Sequence, residues 1–234
     1  MRIGIIGPSE EEIMPFIEQI FNGKIEAHAM LTFYSGKYEN IDVVALYCGV
    51  CKVNAAIATQ ILIDKFQVTH VIVTGVAGAI DNKLSIGDTV ISTETAYHDV
   101  DEGILTEYHP WMKSIYFQGD IKLLELCKEM VNNNMFTHNI FFGKIVTGEA
   151  FISSSGRSDI ISKYNPLCVD METASIAHVC YVNKIPFIAI RSITDTEKEY
   201  GIEAFENNCV TASNRSINVV QKILESLNKR IHLD

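Results

Sequence analysis

The chain has 234 residues, 47% of them hydrophobic and 21% charged, so its composition is that of a folded protein rather than a disordered one. Its net charge of −10 argues against nucleic acid or an anionic membrane as the main partner, and its longest mostly apolar stretch, Val71–Ile80, is too short to cross a bilayer. Six cysteines are too few for a disulfide scaffold, and the chain opens on a strand-like run, Arg2–Gly7, in place of a secretory signal, which together predict a cytoplasmic protein.

Short apolar runs and helically spaced apolar residues alternate along the chain. The expected strands are Arg2–Gly7, several strands within Lys24–Cys48 with turns at Ser35–Gly36 and Glu39–Asn40, Val71–Thr74, Asp88–Thr95, Phe141–Val146, a short strand into Asp170, and Phe187–Ile193. The expected helices follow Ser9, cover Lys52–Lys65 and Asp120–Val131, follow Ser153–Ser158 and Glu172, and end with Glu203–Asn228. This alternation predicts a single α/β domain over residues 1–234, in three layers, with a mixed, mostly parallel central sheet flanked by helices.

Two segments lack a regular period. Gly75–Gly78 follows the apolar run Val71–Thr74 and is expected to be a loop of small residues. Val100–Gln118 contains several aromatic side chains, Trp111 among them, but no repeat of apolar positions. We therefore expect the second segment to be a loop that covers another part of the molecule.

Acidic side chains stand at the ends of two expected strands. Glu172 follows the apolar pair before Asp170, and Asp195 follows Phe187–Ile193. Because α/β proteins keep their chemistry at the carboxyl ends of strands, these acids indicate a functional site there. Alternation along the strand puts Arg191 on the same face as Asp195, so a cation and an acid are expected to point into one cleft.

Two of the candidate acids, Glu12 and Asp195, also fit a purely structural role at the start of a helix. Ser9 and Glu12 have the spacing of a capping box, and so do Thr194 and Glu197. On spacing alone the structural role is favoured at both positions. The functional alternative is that Glu12, at a strand–helix junction, faces the site as a general base.

Cofactor and metal motifs are incomplete. Gly4 and Gly7 follow a strand but lack the full dinucleotide pattern, and three glutamates at the helix start, Glu10–Glu12, would repel a pyrophosphate. Cys48 and Cys51 are expected to form a strand-to-helix turn rather than a redox or zinc site, since no second pair exists. His98–Asp99 lacks further ligands at useful spacing. We expect neither a cofactor nor a metal.

Several motifs occur together in an order typical of one family. They are Ile3–Gly7 leading to Glu10–Glu12, then Thr74–Gly78, Gly148–Ile152, Val169–Glu172 and Arg191–Asp195. With this set the chain resembles the bacterial 5′-methylthioadenosine/S-adenosylhomocysteine nucleosidases, within the purine nucleoside phosphorylase-like superfamily. The likeness extends from residue 1 to the final helix. It implies a nucleoside phosphorylase-like fold and hydrolysis of the N-glycosidic bond of a 5′-thio-substituted adenosine, with release of adenine.

The resemblance also implies roles for individual residues. Asp195 would protonate the purine as general acid, and Glu12 would activate water as general base. The residues that would bind substrate are Val50, Val76, Gly78, Phe151, Ile152, Met171, Glu172, Arg191, Thr194 and Phe205. Among them, Glu172 would hold the ribose hydroxyls and Phe151 would stack on the purine. The family is dimeric, and the loop after His98–Asp99 is expected to meet the partner's site in a homodimer.

Two other functions remain open from the sequence. A purine nucleoside phosphorylase would have to hold phosphate beside three glutamates, which favours water as the nucleophile. A non-catalytic nucleoside-binding protein on the same fold is the other alternative, because Ser9 and Val76 replace the residues common at these positions in the family. The sequence does not rank methylthioadenosine, S-adenosylhomocysteine, 5′-deoxyadenosine and futalosine-type nucleosides.

Overall fold

The computed structural model describes residues 1–109, 112–152 and 154–231, so Trp111 and Ser153 lie outside the described residues. Its strands are β1 (Arg2–Gly7), β2 (Phe21–His28), β3 (Leu31–Tyr38), β4 (Ile41–Tyr47), β5 (His70–Ala79), β6 (Thr89–Tyr97), β7 (Phe117–Gln118), β8 (Ile140–Thr147), β9 (Cys168–Asp170) and β10 (Phe187–Asp195). Its helices are α1 (Glu10–Ile17), α2 (Lys52–Asp64), α3 (Glu102–Glu107), α4 (Ile121–Asn132), α5 (Ser154–Tyr164), α6 (Thr173–Asn183) and α7 (Ile202–Ile231).

The sheet is mixed, and part of it closes into a ring. Strand β10 pairs with β5 on one side and β6 on the other, and β8 and β9 complete the circle back to β5. Strands β1, β4, β3 and β2 extend from β5, while β7 pairs with β6. The α/β class and the mixed sheet are as predicted. The expectation of a mostly parallel sheet is corrected, because β6, β9 and the β2–β3 hairpin add antiparallel pairings, and because the sheet closes on itself, which periodicity does not reveal.

Strand β5 continues through the segment that was expected to be a loop. Its residues pair with β10 from Val71 to Gly78, where Gly78 lies opposite Asp195. A register shift between Ile193 and Asp195 marks the end of this pairing. The residues of Gly75–Gly78 are therefore paired strand residues. Because they are small, neighbouring side chains can pack close to the ends of β5 and β10.

Other boundaries differ locally from the expected ones. The expected turn at Ser35–Gly36 is wrong, because both residues lie inside β3, whereas the turn at Glu39–Asn40 is confirmed. The segment Val100–Gln118 contains the short helix α3 and the strand β7 within its described part. No helix in the described ranges combines the length and the apolar character that a membrane span requires.

Two apolar cores cover opposite faces of the sheet. Alternate residues of β1 supply them: Ile5 packs among residues of α1, α4 and α7, while Ile6 packs among residues of α2 and α6. All these side chains are buried, and each contributes about 1.5–3 kcal/mol relative to an exposed position. The core that contains Ile5 holds α1 against α7, and this fixes the first turn of α1 at the carboxyl end of β1.

Candidate active site

One cavity opens at the carboxyl ends of β5, β9 and β10, beside the first turn of α1, and has a volume of about 330 Å³. Every site residue predicted from the sequence lines it except Arg191. Those that line it are Glu12, Val50, Val76, Gly78, Phe151, Ile152, Met171, Glu172, Thr194, Asp195 and Phe205. This volume is within the range of small-molecule sites.

Glu12 turns its carboxylate toward the cavity and is 4% exposed. Its Oε2 accepts a hydrogen bond from the backbone N–H of Val76 at 2.8 Å, and its Oε1 accepts one from the Ser9 hydroxyl at 2.9 Å. The Ser9 side chain makes no hydrogen bond to the helix backbone, so the capping box expected from the spacing is wrong. Burial raises the pKa of Glu12, and the charge of Arg191 opposes that rise.

Asp195 ends β10 and is 8% exposed. Its Oδ1 lies 2.9 Å from the Thr194 hydroxyl, which donates to it. Burial raises the pKa of Asp195, while the Thr194 hydrogen bond and the charge of Arg157 act in the opposite direction. No helix begins at Thr194, so the second capping box is also wrong. A Cβ at Gly78 would lie 2.9 Å from Asp195 Oδ2, so glycine leaves the space that this carboxyl group occupies.

Arg191 lies behind the cavity wall and is fully buried. Its Nε is 2.8 Å from Asp170 Oδ2, its Nη2 is 3.2 Å from Glu172 Oε2, and its Nη1 is 3.9 Å from Glu12 Oε2. The expectation that Arg191 points into the cleft is therefore corrected. Alternation gives the face of a strand but not the depth of a side chain, and a buried guanidinium is stable only among carboxylates.

Glu172 lines the cavity and is tied to two parts of the chain. Its Oε1 accepts a hydrogen bond from the backbone N–H of Cys51 at 2.9 Å, and its Oε2 faces Arg191. Burial raises the pKa of Glu172 to about 7, against the opposing effect of Arg191. The carboxyl group is thus easier to protonate than that of an exposed glutamate.

Asp170 is a site residue that the sequence did not assign. Its Oδ1 accepts hydrogen bonds from the Thr147 hydroxyl at 2.5 Å and from the backbone N–H of Thr173 at 3.2 Å. Its Oδ2 contacts Arg191 and the Thr173 hydroxyl. The sequence signal is an acid between an apolar strand and a helix start with a threonine three residues later. Asp170 therefore anchors Arg191 beside Glu12 and Glu172.

Arg157 is a second unassigned residue of the cavity wall. It belongs to α5, and its Nη2 donates to the backbone carbonyl of Ile80 at 2.9 Å. Among the described residues that line the cavity it is the one cation, beside five carboxylates: Glu12, Asp170, Glu172, Asp195 and Glu206. The sequence marks this segment only as polar, so no spacing or pattern singled out Arg157.

The rest of the wall is apolar and partly open. Val76 is buried, Phe205 is half-buried, and Phe151 and Val50 are 47% and 46% exposed at the rim. Such a wall accepts a flat ring and an apolar substituent while the carboxyl groups supply polar contacts. The exposed rim leaves room for a further element to complete the site.

Two other sequence motifs, Cys48 with Cys51 and His98–Asp99, do not line the cavity. Cys48 and Cys51 flank the turn between β4 and α2, as predicted, and both thiols are free. The Asp99 carboxylate accepts hydrogen bonds from the Lys52 ammonium at 2.9 Å and from the backbone N–H of Glu149 at 3.0 Å. Over the described ranges, no group of three or more His, Cys, Asp or Glu side chains is arranged to hold a metal ion.

Comparison with known proteins defines the class. A family model described as the phosphorylase superfamily matches residues 2–225, and the chain belongs to that superfamily. Its sequence is 39% identical over 232 residues to a 5′-methylthioadenosine/S-adenosylhomocysteine nucleosidase from Exiguobacterium sp., which covers 97% of this chain and 99% of the relative.

Solved structures agree with the sequence comparison. The nucleosidase of the same name from Colwellia psychrerythraea 34H, in complex with adenine, matches with a TM-score of 0.87 and 34% identity over 97% of this chain and 96% of that one. The one from Neisseria meningitidis, in complex with methylthio-immucillin-A, matches with a TM-score of 0.88 and 33% identity over 96% and 99%. Within the superfamily, the chain is a member of the 5′-methylthioadenosine/S-adenosylhomocysteine nucleosidase family.

Proposed function

We propose that the protein hydrolyses the N-glycosidic bond of 5′-thio-substituted adenosines and releases adenine. The observation that carries this function is that Glu12 and Asp195, two buried carboxyl groups with raised pKa values, line one cavity. Breaking this bond requires an acid for the leaving base and a base for water. Membership of the nucleosidase family supports the same reaction.

Asp195 is the proposed general acid. A carboxyl group donates a proton at neutral pH only if its pKa is raised, and burial has this effect at Asp195. Adenine is a poor leaving group until it is protonated, and we assign the proton transfer from Asp195 to its N7. The Thr194 hydroxyl then stabilises the carboxylate that remains.

Glu12 is the proposed general base. Two hydrogen bonds, from Val76 N–H and the Ser9 hydroxyl, fix its orientation, and Arg191 favours its ionised form against the effect of burial. Water held by this carboxylate attacks the anomeric carbon. The negative charge also stabilises the oxocarbenium-like sugar that forms as the C–N bond breaks.

The remaining predicted residues fit the two halves of the substrate. Glu172, held by Arg191 and the Cys51 N–H, accepts hydrogen bonds from the ribose hydroxyls, with Met171 against the sugar. Phe151 and Ile152 hold the purine. The apolar wall formed by Val50, Val76 and Phe205 receives the apolar 5′ substituent.

Water is favoured over phosphate as the nucleophile. A phosphorylase must hold an anion beside the sugar, where this cavity has Glu12, Asp170 and Glu172. Repulsion among like charges in a poorly solvated site opposes phosphate binding there. The charge of Arg157 acts on Asp195, where it opposes the rise in pKa that burial causes, so this cation is on the purine side.

The decisive experiment is incubation with 5′-methylthioadenosine in phosphate-free buffer, with adenine measured by chromatography. We expect adenine to form without phosphate. Turnover only in the presence of phosphate would establish a phosphorylase instead. Binding without adenine release would establish a non-catalytic nucleoside-binding protein.

Matched variants test the two carboxyl roles. Asp195→Asn should abolish turnover while substrate affinity stays within about tenfold, whereas Glu197→Gln in the neighbouring exposed loop should remain active. Glu12→Gln should also be inactive, with the exposed Glu10→Gln as its control on the same helix. Full turnover in either site variant would refute its assigned role.

We further infer a cytoplasmic homodimer built from one domain over residues 1–234. Apolar side chains are exposed along α2 at Val53 and Ile57 and along α6 at Val182, and these two helices contact each other. Such a patch marks an interaction surface. Ile57→Asp should convert a dimer to a monomer in analytical ultracentrifugation, and a monomeric wild type would refute the inference of a dimer.

The free thiols of all six cysteines support a reducing compartment.

A further inference from the structure

A second cavity, of about 470 Å³, lies between α7 and the segment that joins α4 to β8. Residues three, four and seven positions apart on α7 form one face of it: Thr211, Asn214, Arg215, Asn218 and Lys222. Among the described residues of its lining there is no carboxylate, although the whole chain carries a net charge of −10. The cavity is thus a basic and amide-rich site on an acidic protein.

Arg215 is the residue that gives this cavity its character. Its side chain is half-buried, and its guanidinium lies against Gly87, where an added Cβ would collide with it. Within the described part of the chain, no hydrogen bond or ion pair engages this guanidinium. A partly desolvated guanidinium with five N–H donors is stabilised by an oxyanion.

Two further groups face the same space with fixed geometry. The His138 Nε2 lies 2.9 Å from the Thr89 hydroxyl, which is 2.7 Å from the buried Ser192 hydroxyl, so the imidazole ring is held in place. The Lys222 ammonium is 2.9 Å from Glu225, which does not line the cavity. The nearby carboxylate of Asp88, which follows Gly87, accepts hydrogen bonds from the Ser85 N–H and the Asn139 amide, and among the described residues no carboxylate is within ion-pair distance of Arg215.

We propose that this cavity binds a phosphate-bearing anion, with Arg215 as its principal ligand. A guanidinium fork matches two oxygens of a phosphate, and the amides of Asn214 and Asn218 with the Thr211 hydroxyl can reach the others. The volume exceeds that of a lone phosphate, so a phosphomonoester and free phosphate share the required chemistry. The site is separate from the reaction proposed above and does not depend on it.

Calorimetric titration of the full chain with inorganic phosphate, and separately with ribose 5-phosphate, tests the site. At least one of the two should bind, and the tighter one identifies the source of the phosphate group. Arg215→Gln should weaken binding about tenfold or more. Arg230→Gln is the matched control, because Arg230 is on the same helix, is paired with Glu129 and lies outside the cavity.

A second pair of variants keeps the test valid if Arg215→Gln does not fold. Asn214→Asp adds one negative charge at an exposed lining position and should weaken phosphate binding. Asn207→Asp adds the same charge at an exposed position of α7 outside the lining of this cavity and should leave binding unchanged. Equal binding by wild type and Asn214→Asp, or a larger loss with Asn207→Asp, would overturn the proposal. So would the absence of binding to wild type up to about 10 mM of either ligand.

Discussion

Replacing Arg191 by methionine would test whether the buried guanidinium holds the site together. The substitution keeps much of the side-chain volume but removes the charge that faces Asp170 at 2.8 Å, Glu172 at 3.2 Å and Glu12 at 3.9 Å. All three carboxyl groups are buried. Removing one partner of a buried ion pair typically costs about 3–5 kcal/mol, because the remaining charge is uncompensated.

Protonation limits this cost and gives it a pH dependence. A Glu whose ordinary pKa is 4.5 can be neutralised at pH 7 for about 3.4 kcal/mol, so one unpaired carboxylate costs no more than this. At pH 5.5 the same protonation costs about 2 kcal/mol less. We therefore expect Arg191→Met to destabilise the protein by about 3 kcal/mol at pH 7 and by about 2 kcal/mol less at pH 5.5.

Urea unfolding at both pH values, at one fixed protein concentration, measures these free energies. Arg230→Met is the control, because Arg230 pairs with Glu129 on the surface and should change the free energy of unfolding by less than about 1 kcal/mol. Asp170→Asn added to Arg191→Met should recover part of the loss, since it removes one of the unpaired charges. A loss that is the same at both pH values, or smaller than that of the control, would refute this account.

Three further changes probe the same region. Gly75→Ala places a Cβ against the Glu12 carboxylate and the Arg191 guanidinium, so adenine release should fall about tenfold or more. Gly23→Ala, where an added Cβ would make only ordinary van der Waals contacts, should leave adenine release unchanged. The pKa of Glu172 is raised to about 7, so its contribution to stability is present below pH 4.5 and is lost as the pH rises to about 7. Glu172→Gln should therefore reduce the slope of the free energy of unfolding against pH in this range by up to about 1.4 kcal/mol per pH unit. An unchanged slope would contradict the assignment. Thr147→Val removes a hydroxyl that donates to Asp170 and accepts from the Ala174 N–H, and should cost about 1–3 kcal/mol in urea unfolding. Thr95→Val removes a buried hydroxyl that has no hydrogen-bond partner among the described residues, so it should cost less, and an equal loss would contradict that ranking.

Local pattern was enough to predict most elements and the acids at the strand ends. The strand Arg2–Gly7 has the predicted limits, and Lys52–Lys65 differs from α2 by one residue. The spacing of Ser9 and Glu12 predicted a capping box that the structure does not contain, because a capping box and a carboxylate that faces a cavity use the same residue types. The orientation of Glu12 is decided by the Val76 N–H, which is 64 residues away in sequence.

Long-range pairing explains what the sequence did not reveal. The closure of the sheet depends on β10 lying between β5 and β6, and no period along the chain encodes that neighbour relation. The buried position of Arg191 depends in the same way on Asp170, Glu172 and Glu12 arriving from other elements. Arg157 was missed because a single cation in a polar helix start has no distinguishing neighbours.

The ring of strands sets an order of events during synthesis on the ribosome. In the described chain, β10 is the final strand to be made, and until it emerges both β5 and β6 present unpaired backbone groups. Nascent chains that stop before Phe187 therefore have two strand edges whose unpaired backbone groups can pair with another chain, and they lack the acid at Asp195. Translation of this single segment both removes the edges and delivers the carboxyl group of Asp195.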